Sequence, residues 1–197
     1  MTAQDRFREF LAGVAPDLRT KGFNRKGGIF RRDPPGFAQF VTYQKSRDSD
    51  PETVYFTVTL GVDLEALHFL GARHNAVYDC PWYVRLGHLL DVRGDYWWTL
   101  GSSDDPDRLV AEHRKHINSV IVPTLEEVAS TDYLIELWQG GQAPGATEGQ
   151  RRIFLAVLLQ LRGREGDQGV VKELLEAPGR VSYLAFEFEE TLGLQSG

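Results

Sequence analysis

The stretch Val54-Tyr55-Phe56-Thr57-Val58-Thr59-Leu60-Gly61-Val62 contains the clearest secondary-structure signal in the chain. Large apolar side chains occupy every second position, and Tyr55, Thr57 and Thr59 stand between them. This period of two residues is typical of a β-strand with one face on a hydrophobic core. The stretch therefore predicts a strand from Val54 to Val62 in a sheet with one buried face.

Three further segments have strand character. Residues 23–32 contain the turn signal Gly27-Gly28, residues 37–45 are rich in aromatic and β-branched side chains, and residues 95–100 include two adjacent tryptophans. The connections among the first strands are short, which favours antiparallel pairing. We therefore expect an antiparallel sheet of about four strands.

Helical periodicity precedes this sheet. Apolar residues at helical spacing predict an N-terminal helix that is capped by Thr2 or Asp5 and stops at Gly22. Proline removes a backbone donor and clashes with the preceding turn, so we expect a kink or a break at Pro16.

The second half of the chain is predicted to be helical. One helix is expected from Pro106 toward Val122, with an interruption at Pro123 and a continuation through Val128. The tail then shows four helical segments, at residues 132–139, 148–162, 168–176 and 178–192.

The order of these elements favours the α+β class over a parallel α/β sheet. We expect an N-terminal helix, an antiparallel sheet covered by helices, and a C-terminal all-helical extension. The expected division is an α+β core domain over residues 1–128 and a helical extension over residues 129–197 that packs on it.

Composition limits the classes of function. The chain has 197 residues, a formal net charge of −6, 42% hydrophobic and 25% charged residues, which is typical of a globular protein. Its acidity makes nucleic-acid binding unlikely, because that requires clustered cations. Cys80 is the single cysteine, so no intrachain disulfide can form and a reducing, cytoplasmic setting is expected. No apolar run is long enough to predict a signal peptide or a membrane span.

Basic residues are concentrated near the N-terminus, where the first 50 residues hold ten Lys/Arg against six Asp/Glu. Arg25, Arg31 and Arg32 flank the glycine turn, and they could form a positive sheet face that attracts an anionic partner. With Arg85 and His88 they are also candidates for a pocket that binds a small anion. The plainer interpretation is a turn in a charged hairpin, because the glycine spacing is not that of a phosphate-binding loop.

Trp82, Trp97 and Trp98 belong to a dense aromatic group that has two interpretations. Adjacent Trp97 and Trp98 cannot both point inward from a strand, so one should reach the opposite face. The group is either covered by the C-terminal helices or partly exposed as an anchor for a protein partner, since Trp and Tyr are enriched in interface hot spots.

Two further groups of residues could bind a metal ion or act as a nucleophile. His113 and His116 are neighbours on a helix and could share a metal ion, but no third ligand is identifiable, which favours structural histidines. Cys80 has histidines nearby in the sequence and could be a nucleophile, but an isolated free cysteine is more often a small buried hydrophobe. We therefore predict no catalytic residue, no metal site and no cofactor.

Several short motifs occur together in a characteristic order. They are Gly22-Phe23, Phe30-Arg31-Arg32, Gln44-Lys45-Ser46, residues 56–62, Cys80, Arg85-Leu86-Gly87 and Trp97-Trp98. In this order they resemble the bacterial family catalogued as domain of unknown function 4304, over roughly residues 1–128. The resemblance implies a bacterial cytosolic protein, and it supplies no established activity.

Two functions remain as hypotheses. The first is a noncatalytic binding or accessory protein for another polypeptide, for example in a toxin-neutralising role. The alternative is an enzyme that acts on a small anionic substrate at a basic pocket. The oligomeric state is not predicted.

Overall fold

The computed structural model describes residues 1–70, 76–90 and 96–176. Three sequence predictions involve residues outside this part of the chain. They are the helix at residues 178–192, the first residue of the strand at 95–100, and His74, one of the histidines near Cys80 in the sequence.

Helix α1 (Ala3–Thr20) begins in a capping box, in which the Thr2 hydroxyl accepts from the Asp5 amide and the Asp5 carboxylate accepts from Thr2. The predicted apolar stripe is buried. The helix is continuous through Pro16, so a break there is wrong. Val14 and Leu18, two positions before and after the proline, are fully buried, and this packing offsets the missing backbone hydrogen bond.

Within the described residues the sheet has six strands, all in antiparallel pairs. They are β1 (Asn24–Lys26), β2 (Ile29–Arg32), β3 (Phe37–Lys45), β4 (Thr53–Leu64), β5 (Trp82–Arg85) and β6 (Trp98–Gly101). The first five follow one another in the order of the chain, and β6 pairs with the beginning of β4. The α+β class is confirmed, with six strands instead of about four. Four-residue β5 was missed because it is too short to show a period.

Strand β4 has the predicted alternation, but its second face is not simply exposed. The apolar residues from Val54 to Val62 are fully buried, and so are Thr57 and Thr59 between them. A 3₁₀ helix (Val77–Asp79) lies over this outer face, where Val77 and Cys80 form a small second core with Phe40 and Ala38. Gly61 permits the close approach, since a Cβ there would lie 2.7 Å from Val77 Cγ2.

Two further short helices lie between the strands of the sheet. They are a 3₁₀ helix (Glu65–Leu70) after β4 and α2 (Leu86–Leu89) after β5. Helix α3 (Pro106–His116) is capped by Asp105 and continues through a π-helical turn (Ile117–Ile121) into α4 (Val122–Val128). The predicted interruption at Pro123 is therefore absent. The π-helical turn shifts the hydrogen-bond pattern just before the proline, which cannot donate.

The tail forms α5 (Thr131–Gln139), α6 (Glu148–Arg162) and α7 (Asp167–Glu176), in agreement with three of the four predicted segments. Their buried residues, including Trp138 and Phe154, join the same hydrophobic cluster as α1 and the sheet. The division of the chain at residue 128 remains a prediction. None of the helices in the described ranges is long and apolar enough to cross a membrane.

The loop between α5 and α6 is attached to the sheet at strand β5. The Tyr83 amide donates to the Pro144 carbonyl oxygen at 3.2 Å. Gly145 has a φ of +86°, and a Cβ there would lie 2.4 Å from Cδ1 of the Tyr83 ring. Gly141, in the same loop, has a φ of +80° and no atom within 4 Å of such a Cβ.

Replacing Gly145 by alanine is expected to lower the free energy of unfolding by about 2–3 kcal/mol, from left-handed backbone strain plus overlap with Tyr83. Gly141→Ala is the matched control, and it should cost only the strain of about 1 kcal/mol. Urea unfolding of both variants measures the difference. Equal losses would contradict the contact between this loop and β5.

Candidate binding surface

Two of the predicted arginines are used to hold the fold together. The Arg25 guanidinium donates to the carbonyl oxygens of Leu11 at 3.0 Å and of Gly27 at 2.8 Å. Arg32 lies over the Phe23 ring at 4.7 Å and donates to the Lys21 carbonyl and to the side-chain oxygen of Gln39. Both arginines therefore fasten the hairpin β1–β2 to its neighbours instead of facing a common pocket.

Arg31 points to the outer face of the sheet, opposite Arg32. Its guanidinium lies 5.2 Å from the centre of the Phe40 ring and forms an ion pair with Asp33 at 2.7 Å. It lines a cleft of about 600 Å³ together with Asp63 and His68.

Asp63 and His68 form a pair that no motif in the sequence indicated. The side chain of Asp63 is only 2% exposed, and its carboxylate lies 2.7 Å from His68 Nε2. Three carboxylates and one arginine line this cleft, with Glu65 as the third acid. This charge balance does not suit a small anion.

Arg85 and His88 line a different cleft, of about 500 Å³, which is closed on one side by Pro144 and Gly145. The five candidates for an anionic-substrate pocket therefore lie at separate places on the sheet. The structure does not bring Arg25, Arg31, Arg32, Arg85 and His88, the candidates of the alternative hypothesis, together in one pocket. Alternation along β2 sends Arg31 and Arg32 to opposite faces, so the basic segments do not form one outer surface.

The three predicted tryptophans divide between core and surface. Trp82 and Trp98 are buried, at 4% and 3% exposure, in the main hydrophobic cluster. Trp97 is only partly buried, and its ring lies 5.4 Å from the Arg85 guanidinium carbon. As expected for adjacent residues, the two neighbouring indoles do not share a side of the sheet, and only Trp97 is available to a partner.

His113 is a core residue. Its ring packs against Phe10 at 5.0 Å and Trp98 at 4.8 Å, and neither ring nitrogen has a hydrogen-bond partner in the described part of the chain. Burial, followed by repulsion from His116, lowers the pKa of His113 from 6.5 to about 3. The residues that the structure describes contain no group of three or more His, Cys, Asp or Glu side chains that could hold a metal ion.

Cys80 is also buried, at 3% exposure, and its thiol donates to the Ala76 carbonyl oxygen. Burial, and then the negative charges of Asp63 and Asp79, raise the pKa of the Cys80 thiol far above its ordinary value. The thiolate is the nucleophilic form of cysteine, so this environment does not activate Cys80.

The outer side of the sheet carries four aromatic side chains and one arginine. We call this group the aromatic face, and it consists of Tyr55, Tyr78, Tyr83, Arg85 and Trp97. Strand register places Tyr55 and Arg85 on the side of β4 opposite to the core. Tyr55 and Tyr78 are 38% and 41% exposed, which makes them two of the most exposed large hydrophobic residues among those described.

Two rings of the aromatic face, those of Tyr78 and Tyr83, make specific contacts with their neighbours. The Tyr78 hydroxyl donates to the side-chain oxygen of Gln44 and lies 3.3 Å from the Thr59 hydroxyl. Tyr83 meets Tyr78 edge to face, with ring centres 5.3 Å apart. The sequence placed Tyr55 opposite the core, but nothing in it indicated that Tyr78 would fold back onto β4.

Comparison with known families gives one match for this chain. The model of the family described as "Domain of unknown function (DUF4304)" matches residues 14–127, more than half of the chain. The chain therefore belongs to the DUF4304 family, as its motifs indicated. No match was found among the curated proteins or among the solved structures.

Proposed function

We propose that this protein is a noncatalytic binding protein that recognises another polypeptide through the aromatic face. The observation that carries the proposal is a partly exposed group of Tyr, Trp and Arg side chains on one rigid sheet surface. These residue types supply most of the binding energy in protein interfaces, because they combine large apolar area with polar groups and few rotatable bonds.

The chemical groups of the fold support binding over catalysis. Cys80 and His113 are buried, and Arg31 and Arg85 line different clefts. A toxin-neutralising role is one specific form of the proposed function, and the identity of the partner would decide it.

The test uses purified protein immobilised on resin and a lysate of the cells that produce it, with bound proteins identified by mass spectrometry. We expect one polypeptide to be retained stoichiometrically. A variant with Tyr55→Ser, Tyr78→Ser and Trp97→Ser should lose at least about 2 kcal/mol of binding free energy, since each position is a potential hot spot.

The matched control carries Leu161→Ser and Val170→Ser, which remove exposed apolar side chains from α6 and α7. This control should retain the same polypeptide with unchanged affinity. Absence of any stoichiometric partner would overturn the proposed function, and equal losses in both variants would overturn the assignment to the aromatic face.

A further inference from the structure

Beside the aromatic face, β6 and the first turns of α3 enclose a cleft of about 610 Å³. We call it the acidic cleft. Its charged and aromatic lining consists of Tyr96, Trp97, Trp98, Asp104, Asp105, Arg108 and Glu112. Because Trp97 belongs to both surfaces, a polypeptide on the aromatic face can extend into the acidic cleft.

One wall of the cleft is aromatic and holds a carboxylate in a fixed position. Tyr96 is 37% exposed, and its ring packs edge-on against Trp98 with centres 4.7 Å apart. The buried Trp98 indole N–H donates to Oε1 of Glu112 at 2.9 Å. Glu112 is therefore oriented by the core, while its side chain remains 40% exposed.

The opposite rim carries two more oriented carboxylates. Asp104 accepts from the Gly101 amide at 2.6 Å, and Asp105 accepts from the Asp107 amide at 3.0 Å as the cap of α3. These bonds hold both acids at the mouth of the cleft, although both residues are otherwise exposed.

Positive charge only partly balances these acids, although His116 Nε2 lies 3.5 Å from Oε1 of Glu112. Arg108 is the single basic residue among the lining residues, and it forms no ion pair within the described part of the chain. The imbalance extends further, since residues 101–150 contain nine Asp/Glu and three Lys/Arg. Three carboxylates beside the exposed ring of Tyr96 and the partly buried ring of Trp97 match the two preferences of an alkyl ammonium or guanidinium, which are anionic oxygens and the face of a π-system.

We propose that the acidic cleft binds a cationic side chain, arginine or lysine, of a basic segment in the polypeptide partner. This inference rests on the proposed function and adds the chemistry of the partner. Charge complementarity supports it, because a basic segment gains favourable interactions with the three carboxylates and an acidic segment would be repelled.

The experiment uses fluorescein-labelled nonapeptides of glycine and serine with three residues replaced by arginine, by neutral citrulline or by glutamate. Fluorescence anisotropy with the full chain at 150 mM salt, where surface charges beyond about 8 Å are screened, measures affinity. We expect the arginine peptide to bind best and to shift the indole N–H resonance of Trp98, which reports on the bond to Glu112.

The test variant combines Asp104→Asn, Asp105→Asn and Glu112→Gln. Each replacement retains a side-chain oxygen, so the cap of α3 and the bond to Trp98 can still form. We expect this variant to lose about tenfold or more in affinity for the arginine peptide, since each exposed charge pair contributes up to about 1 kcal/mol.

The control variant removes the same charge elsewhere, by Glu127→Gln, Glu136→Gln and Glu165→Gln at exposed positions of the helices and of the loop after α6. It should lose less than about twofold, because its distant charges are screened. Equal losses in both variants, or equal binding of the citrulline peptide, would overturn the cleft assignment. A captured polypeptide whose binding is insensitive to the test variant would overturn it too, while leaving the proposed function intact.

Discussion

Replacing Phe56 by alanine is expected to lower the free energy of unfolding by about 3–5 kcal/mol, the range for a fully buried phenylalanine. Phe56 is inaccessible to solvent at the centre of an aromatic cluster. Its ring lies 5.1 Å from those of Phe7 and Phe10 on α1 and stacks on Trp98 of β6 at 5.8 Å. The substitution would therefore leave a cavity between the helix and the sheet.

The neighbouring residue provides the control, because Tyr55 points to the other face of the same strand. Tyr55→Ala should cost no more than about 1.5 kcal/mol, since this side chain is partly exposed. Urea denaturation followed by circular dichroism measures both values, and Phe56→Leu gives a milder change if the alanine variant does not fold. Similar costs at positions 55 and 56 would contradict the assignment of faces in β4.

Acidification is expected to destabilise the chain through His113. The pKa of this side chain is about 3 in the fold because of burial, and its ordinary value is 6.5. Between these values the unfolded chain binds one proton more than the folded chain, so stability is retained above pH 6.5 and falls as pH decreases. The loss from this residue is about 2–3 kcal/mol between pH 7 and pH 4.5.

Urea unfolding at several pH values, compared between the natural chain and His113→Phe, measures this contribution. The variant should lose about 2–3 kcal/mol less on acidification, whatever its stability at pH 7. The comparison stops at pH 4.5 because of Glu148. Hydrogen bonds from the Arg151 and Arg152 side chains lower the pKa of Glu148 to about 2, so its contribution to folding stability is lost only in more acidic solution. The same pH dependence in the natural chain and in His113→Phe would contradict the burial of an uncharged imidazole.

Local patterns were sufficient to predict most of the secondary structure. Helix α6 was predicted with the bounds Glu148–Arg162 that the structure has, because a capping box and a long apolar stripe coincide there. Prediction from local patterns failed where an element is short or where packing outweighs a local preference. Strand β5 has four residues, and Pro16 is accommodated inside α1 because Val14 and Leu18 on the same helix are buried in the core.

The candidate surfaces were harder to predict, because they join residues that are distant in the sequence. Gln39 shows the difficulty, since a polar residue in a strand is expected to be exposed. It is buried, with its side-chain amide donating to the Leu125 carbonyl oxygen of α4 at 2.6 Å. Likewise, the pairing of Tyr78 with Gln44 and of Trp98 with Glu112 depends on how loops and helices fold over the sheet.

The sequence by itself determined the α+β class, the antiparallel sheet and the buried face of β4, because each follows from the spacing of apolar residues along a few neighbouring positions. Only the tertiary structure decided which arginines and tryptophans share a surface, and it separated residues that the sequence had grouped. The physical reason is that periodicity specifies the direction of a side chain relative to its own element. The position of one element against another is set by the packing of the whole core.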